Sequence, residues 1–209
     1  MFAMSVWCRK GGVGKTTLSL NLCGYFAWKG QTTTLVDFDP QGGAITCAAF
    51  AEKNGKPLPF EVTRKPKVAT DFMIFDHAPG VDSGGQLAPL VLVPTILDAS
   101  SYSATLKSID ELKEMNKPFI LVPNRVEIQN REQMELLKKL EGYSEKLGYD
   151  QPYIRKRVAY PRAYGNGITI FEEKSGLPNV TDARNEFAHL IEIIKLKIKE
   201  KAEAQAKTK

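Results

Sequence analysis

A doubly wound α/β fold, a mostly parallel sheet flanked by helices, is what this sequence predicts, on three observations. Short apolar runs that each end in turn chemistry alternate with stretches of helical periodicity. Most of those runs are nearly continuous in apolar character, as strands covered on both faces require. Alternation of strand with helix builds βα units joined by right-handed crossovers, which lays the strands parallel.

Taken in order, Ser5 to Cys8 is the first strand candidate and runs straight into a glycine-rich loop, after which Thr16 to Lys29 is helical. Thr33 to Phe38 is the second strand, stopped by Asp39-Pro40-Gln41-Gly42-Gly43. Between Phe50 and Thr70 the pattern fades into Glu52-Lys53-Asn54-Gly55-Lys56-Pro57 and Arg64-Lys65-Pro66-Lys67, which reads as a surface loop with one short strand around Phe60-Glu61-Val62. Asp71 to Asp76 is a strand ended by Ala78-Pro79-Gly80, and Leu90 to Pro94 and Pro118 to Val122 repeat the pattern. Helices are expected at Ser103 to Asn116, carrying Leu106, Ile109, Leu112 and Met115, and at Arg131 to Leu147, carrying Met134, Leu137 and Leu140. Tyr153 to Tyr160 is expected to supply a last strand. A final helix follows from Ala183, Phe187, Leu190, Ile191, Ile194 and Ile198, which share one stripe at 3.6-residue spacing.

With 209 residues, 43% hydrophobic and 25% charged, the chain is expected to form one globular domain over residues 1–194. A Lys-rich helix end or tail at 195–209 holds six lysines against Glu200 and Glu203 and so carries most of the net charge of +5. No run of about eighteen apolar residues is available to span a bilayer. The opening Met1 to Cys8 lacks the charged n-region and cleavage site of a signal peptide, so a cytoplasmic location is expected. Cys8, Cys23 and Cys47 are odd in number and lack C-x-x-C spacing, which argues for reduced packing residues and against a disulfide framework or zinc site.

The chemistry concentrates in Lys10-Gly11-Gly12-Val13-Gly14-Lys15-Thr16-Thr17. A phosphate-binding loop needs glycines so that backbone N–H groups can wrap a polyphosphate, a lysine for the β/γ-phosphates and a hydroxyl for Mg²⁺. Gly14, Lys15 and Thr16 fill the last three places, at a helix N-terminus that favours anions. The plain motif, G-x-x-x-x-G-K-S/T, would put its first glycine where Arg9 stands, and the next position holds a second lysine, Lys10. Further on, Asp37 and Asp39 leave a strand end at i and i+2, where both can face a γ-phosphate and one can order the attacking water. The strand Met73-Ile74-Phe75-Asp76 ends in an aspartate, and Leu121-Val122-Pro123-Asn124-Arg125 ends another strand on the same side.

The spelling K-G-G-x-G-K-S/T is the deviant Walker A signature, and through it the chain resembles the ParA/MinD family of P-loop ATPases. Val36 to Gly43 resembles that family's D-x-D-P-Q-G motif, and Met73 to Gly80 its Walker B strand, with weaker likeness at Leu121 to Arg125 and Tyr160 to Phe171. The resemblance implies ATP and Mg²⁺ as cofactors. Gly11, Gly12, Val13, Gly14, Lys15, Thr16 and Thr17 would bind the phosphates, and Asn124 and Pro161 would lie beside the adenine. Thr16, Asp76 and Asp37 would stand at the metal, Asp39 would order the water, and Lys10 would reach across a homodimer interface to the partner's nucleotide. Where relatives carry threonine-proline-proline after the Walker B aspartate, this chain has His77-Ala78-Pro79, and His77 reads as a structural histidine.

The same resemblance implies a switch that binds nonspecific double-stranded DNA in its ATP state, is stimulated by a ParB-like or adaptor protein, and partitions DNA or positions a cargo on the nucleoid. Arg155, Lys156, Arg157, Arg162, Arg184, Lys195 and Lys197 are the candidate DNA contacts. The MinD branch, which associates with membrane through a terminal amphipathic helix, is the alternative. Beyond Ile198 this chain offers only Ala202, Ala204 and Ala206, too little apolar surface for anchoring, so membrane binding is not expected. A reductase of the nitrogenase iron-protein type would need paired cysteines after Asp76, and none follows it.

Overall fold

In the computed structural model, which describes residues 1–80 and 87–206, six strands form one wholly parallel sheet. Strands β1 (Phe2–Val6), β2 (Thr33–Asp37), β3 (Glu61–Thr63), β4 (Phe72–Asp76), β5 (Leu90–Ile96) and β6 (Phe119–Asn124) lie in the order β3-β2-β4-β1-β5-β6. β1, which feeds the glycine-rich loop, is thus central, with β4 on one side and β5 on the other. The register pairs Asp37 at the end of β2 with Asp76 at the end of β4, so the two carboxylates of the motifs emerge side by side.

The continuous apolar runs are explained by two cores. Alternation along β5 and β6 sends Leu92, Ile120 and Val122 to one face and Val91, Val93 and Leu121 to the other, and all six are fully buried. The first face is covered by α1 (Lys15–Trp28) and α6 (Val180–Ala206), through Leu18, Leu22, Phe187, Leu190 and Ile194. The second is covered by α3 (Ala99–Glu114) and α4 (Arg131–Lys146), through Ile109, Leu112, Leu137 and Leu140. Each such side chain removed from water contributes about 1.5–3 kcal/mol. Asp98 and Asn130 start α3 and α4 by accepting the N–H groups of Ser101 and Gln133.

Two helices lie where periodicity predicts none. α2 (Gly43–Lys53) buries Ala44, Cys47 and Ala51, which have helical spacing but side chains too small to stand out as an apolar stripe. α5 (Ala159–Gly165) contains Pro161, tolerated because a first-turn residue has no intrahelical use for its N–H. The strand expected at Tyr153 to Tyr160 does not form: the segment makes a single bridge, Arg155 to Val126, beyond the turn at Arg125 (φ 56), and α5 begins at Ala159. The compositional boundary at residue 195 is not a break in the backbone, since α6 runs unbroken from Val180 to Ala206. Residues 207–209 of the expected tail lie outside the described residues.

Candidate functional site

The phosphate loop joins the end of β1 to the start of α1. Its entry is held by Arg9, whose N–H donates to Ser108 Oγ on α3 at 3.1 Å and whose guanidinium pairs with Glu111. Gly12 and Gly14 take φ +77 and +94, left-handed values that favour glycine, and at Gly14 an added Cβ would also stand 2.1 Å from Asn124 Nδ2. The crowding arises because Asn124, at the end of β6, donates from Nδ2 to the carbonyl of Val13 at 2.8 Å. Val13 is buried beneath the loop, whereas Gly11 and Gly12 are exposed.

The two lysines of the motif have opposite environments. Lys15 is buried and its ammonium donates to the carbonyl of Lys10 at 3.4 Å. Lys10 is exposed; its described hydrogen bonds are to its carbonyl, from Lys15 and from Cys8 Sγ, so they leave the ammonium uncommitted.

Asp76 is 1% exposed, and each of its oxygens receives a hydroxyl: Thr16 Oγ1 donates to Oδ2 at 2.6 Å and Ser19 Oγ to Oδ1 at 3.3 Å. Burial pushes the carboxyl up to about 7 against these hydroxyls and the Lys15 charge, with the neighbouring Asp37 raising it further. A buried carboxylate beside an alcohol at a phosphate loop fits Mg²⁺, which uses one or two side-chain oxygens and completes its shell from phosphates and water. Ser19, one helical turn along from Lys15, lies outside the motif, and its only sequence signal is a hydroxyl at i+3 from Thr16.

Asp37, expected beside the metal, is held by three backbone N–H groups. Its Oδ1 accepts the N–H of Asp39 at 3.1 Å, and its Oδ2 those of Ala44 and Ile45 at 3.0 and 3.1 Å. The carboxylate that reads as a metal neighbour is therefore engaged in shaping the turn and capping α2, because those N–H groups have no intrahelical partner. Asp39 is half-exposed, bonded through Oδ1 to the N–H of Gln41, and is the carboxylate of the pair that faces outward. The turn closes on the phosphate loop: a Cβ at Gly43 would come within 3.2 Å of Thr16.

His77 is fully buried, with Nε2 2.9 Å from Ser5 Oγ, which also accepts the N–H of Ala88. Burial, and secondarily the Lys15 charge, lowers the imidazole to about 4, so it is neutral and sits against β1 through Ser5.

A cleft of about 760 Å³ opens beside the loop, lined by Thr17, Asn124, Arg125, Val158, Pro161 and Tyr164 among others. It brings together the two residues expected near a base, Asn124 and Pro161, with Thr17 of the phosphate loop. Asn124 enters with its amide directed at Val13 and its Oδ1 accepting the N–H of Arg125, so its first task is to clamp the loop.

The seven basic candidates for DNA do not form one free patch. Arg157 is bound to Glu186 at 2.5 Å and Asp182 at 3.3 Å, and the Arg184 guanidinium donates to the carbonyls of Ile170 and Glu172 at 2.6 and 2.9 Å. Lys197 donates to the Leu147 carbonyl at 2.7 Å and pairs with Glu200, so these three read as ties that hold α6 to the body. Arg155 and Lys156 line the cleft, Lys156 in an exposed pair with Glu127, and Lys195 pairs with Glu192; Arg162 is exposed.

Residues 5–170 match the CobQ/CobB/MinD/ParA nucleotide binding domain family. The chain is 65% identical over 34 residues to the chromosome-partitioning ATPase Soj of Treponema pallidum, a stretch covering 16% of this chain and 13% of that protein. It is 26% identical over 193 residues to the maintenance of carboxysome distribution protein A of Halothiobacillus neapolitanus, covering 82% of this chain and 87% of that one. Its fold is similar to that of the Pyrococcus furiosus cell division ATPase MinD, with a TM-score of 0.70 at 17% identity over 92% of this chain and 99% of that one.

Proposed function

Because the chain belongs to the CobQ/CobB/MinD/ParA nucleotide-binding family, we propose that it is an ATPase switch. In this reading it closes into a homodimer around ATP and binds double-stranded DNA without sequence preference in that state. It hydrolyses the nucleotide when a ParB-like or adaptor protein stimulates it, and so partitions DNA or positions a cargo. The observation that carries this reading is the contrast between the two loop lysines, one buried within its own subunit and one exposed at the rim.

Lys15 lies where its charge meets the β/γ-phosphates, at the N-terminus of α1. Thr16 and Asp76 would hold Mg²⁺, which when bound neutralises phosphate charge. Asp39 orders the attacking water; the water oxygen bonds to the γ-phosphorus as the β–γ bridging P–O bond breaks, leaving ADP and phosphate. Lys10 extends from each subunit to the triphosphate held by the other and stabilises the charge that develops there. With Asp39 the outward-facing carboxylate and no strong base beside it among the described residues, intrinsic turnover is slow, as a state that must persist until its partner arrives requires. Nonspecific DNA contact falls to Arg162, Arg155, Lys156 and Lys195. Exposed pairs such as Lys156–Glu127 are worth at most about 1 kcal/mol and exchange readily for phosphate.

The test is Lys10→Ala against Lys15→Ala. The first retains ATP affinity and loses stimulated hydrolysis and ATP-dependent dimerisation, and the second loses nucleotide binding; wild-type turnover and dimerisation in Lys10→Ala would defeat the reading. The MinD-type reading draws on Leu196 of α6, 42% exposed. Among the described residues no helix is long and apolar enough to cross a membrane, so it requires surface association, and pelleting with anionic vesicles in ATP would favour it.

A further inference from the structure

The wall of the cleft that would receive the base is tied to the carboxylate turn by a single helix. α5 contributes Tyr160, Pro161 and Tyr164 to the cleft. Tyr164 donates its hydroxyl to the carbonyl of Gly43, the first residue of α2, at 2.9 Å. The next two residues of α2, Ala44 and Ile45, are those whose N–H groups bind Asp37, and Asp37 in turn receives the N–H of Asp39. These groups thus run in sequence from the cleft to the carboxylate at the reacting end.

The rest of α2 is strapped to α5 and the turn behind it. The Tyr164 carbonyl accepts Cys47 Sγ at 3.8 Å, and the rings of Phe50 and Tyr164 meet edge to face at 6.1 Å. Asn54 donates to the Asn166 carbonyl at 3.0 Å, and Gly167 lies so close to α2 that a Cβ there would stand 2.2 Å from the Ala51 nitrogen. Packing this tight moves as a unit instead of deforming locally. The Tyr164 hydroxyl is also additional to what the fold requires, because helical geometry already supplies a Gly43 carbonyl partner at i+4.

We propose that Tyr164 is a positioning residue that couples the presence of a base in the cleft to the placement of Asp39, so that base-bearing triphosphate is hydrolysed faster than triphosphate alone. The proposal rests on the ATPase reading above and goes beyond it by assigning how the site distinguishes a nucleotide from a bare polyphosphate. Tyr164 acts through Gly43, α2 and Asp37, and touches no reacting atom.

The probes are ATP and ribose 5-triphosphate, which lacks the base, with wild type and Tyr164→Phe. Loss of one hydroxyl hydrogen bond should lower kcat for ATP roughly fivefold. The Kd of a fluorescent ATP analogue and the melting temperature should stay nearly unchanged. The wild-type advantage in kcat of ATP over ribose 5-triphosphate should disappear in the variant. A merely structural tyrosine would alter stability and Kd but leave the kcat ratio of the two substrates in place, and that result overturns the proposal. Amide exchange on the wild type gives a second arm needing no variant: ATP should protect residues 39–45 more than ribose 5-triphosphate does, and equal protection overturns it. Wild type that neither binds nor hydrolyses ATP would instead defeat the ATPase reading on which the proposal stands.

Discussion

Asp76→Asn should stabilise the nucleotide-free protein, increasingly so as pH rises. In the folded chain the Asp76 carboxyl is raised from an ordinary 3.8 to about 7, chiefly by burial. An acid whose folded value is raised contributes stability that is complete below about 3.8 and is lost as pH rises through about 7. At 1.36 kcal/mol per pH unit, the loss approaches about 4 kcal/mol by pH 8. Asparagine keeps the shape and can accept a hydroxyl without carrying the charge. Urea melts of both proteins between pH 5 and 8.5, without nucleotide or metal, should therefore show the variant ahead by only about 1–2 kcal/mol at pH 5, where the unfolded carboxyl is already ionised and the folded one is not. At pH 8.5 the variant should be ahead by about 2–4 kcal/mol, or at least about 4 °C in melting temperature for a domain of this size. His77 supplies an internal control of opposite sign. Its value is lowered from 6.5 to about 4, so its contribution is present above 6.5 and lost as pH falls towards 4. In wild type the two trends oppose each other between about 4 and 6.5, and in the variant the histidine trend stands alone. A stability difference that is the same at every pH would refute the buried, strained carboxylate; so would wild type remaining the more stable protein at pH 8.5. Saturating Mg·ATP should reverse the ranking, because the aspartate brings a negative charge to the ion and the asparagine does not.

Ser19→Ala removes the donor to Asp76 Oδ1 and should weaken Mg²⁺-dependent nucleotide binding about fivefold while leaving metal-free binding in EDTA unchanged, as titration calorimetry would show. Arg184→Ala should cost about 1–3 kcal/mol in a denaturant melt, since two backbone carbonyls lose a charged donor. It should leave the salt dependence of DNA binding unaltered; a drop of about one in the slope of log affinity against log salt would return that residue to the DNA surface.

Much of the site can be read from local sequence because phosphate chemistry is local. The loop, its lysine and its hydroxyl occupy eight consecutive residues, and a β-strand ending in Asp76 or Asn124 announces itself by an apolar run that stops. The five longer strands are legible for the same reason, and β3 as a short edge run. α2 escaped because it packs with alanine and cysteine, and α5 because Pro161 and a basic triplet resemble an extended segment. Residues Tyr153–Tyr160 make a single bridge, Arg155 to Val126, where a strand was expected, and the left-handed φ of Arg125 just after β6 has no signature in composition.

Sequence alone determined the phosphate loop, the six strands and the longer helices, and the surplus lysine that no single nucleotide site needs. Tertiary structure decided which of the apparently equivalent groups are free. Asp37 and Asp39 look alike in the motif, yet one is engaged by α2 and the other faces outward. Arg162 and Arg184 look alike in charge, yet one is exposed and the other holds two carbonyls. Asn124 meets Val13 across 111 residues and Tyr164 meets Gly43 across 121. Such pairings exist only once the sheet has been wound, because a side chain finds its local partners within a turn or a helical step and its distant ones through packing that no neighbouring residue encodes.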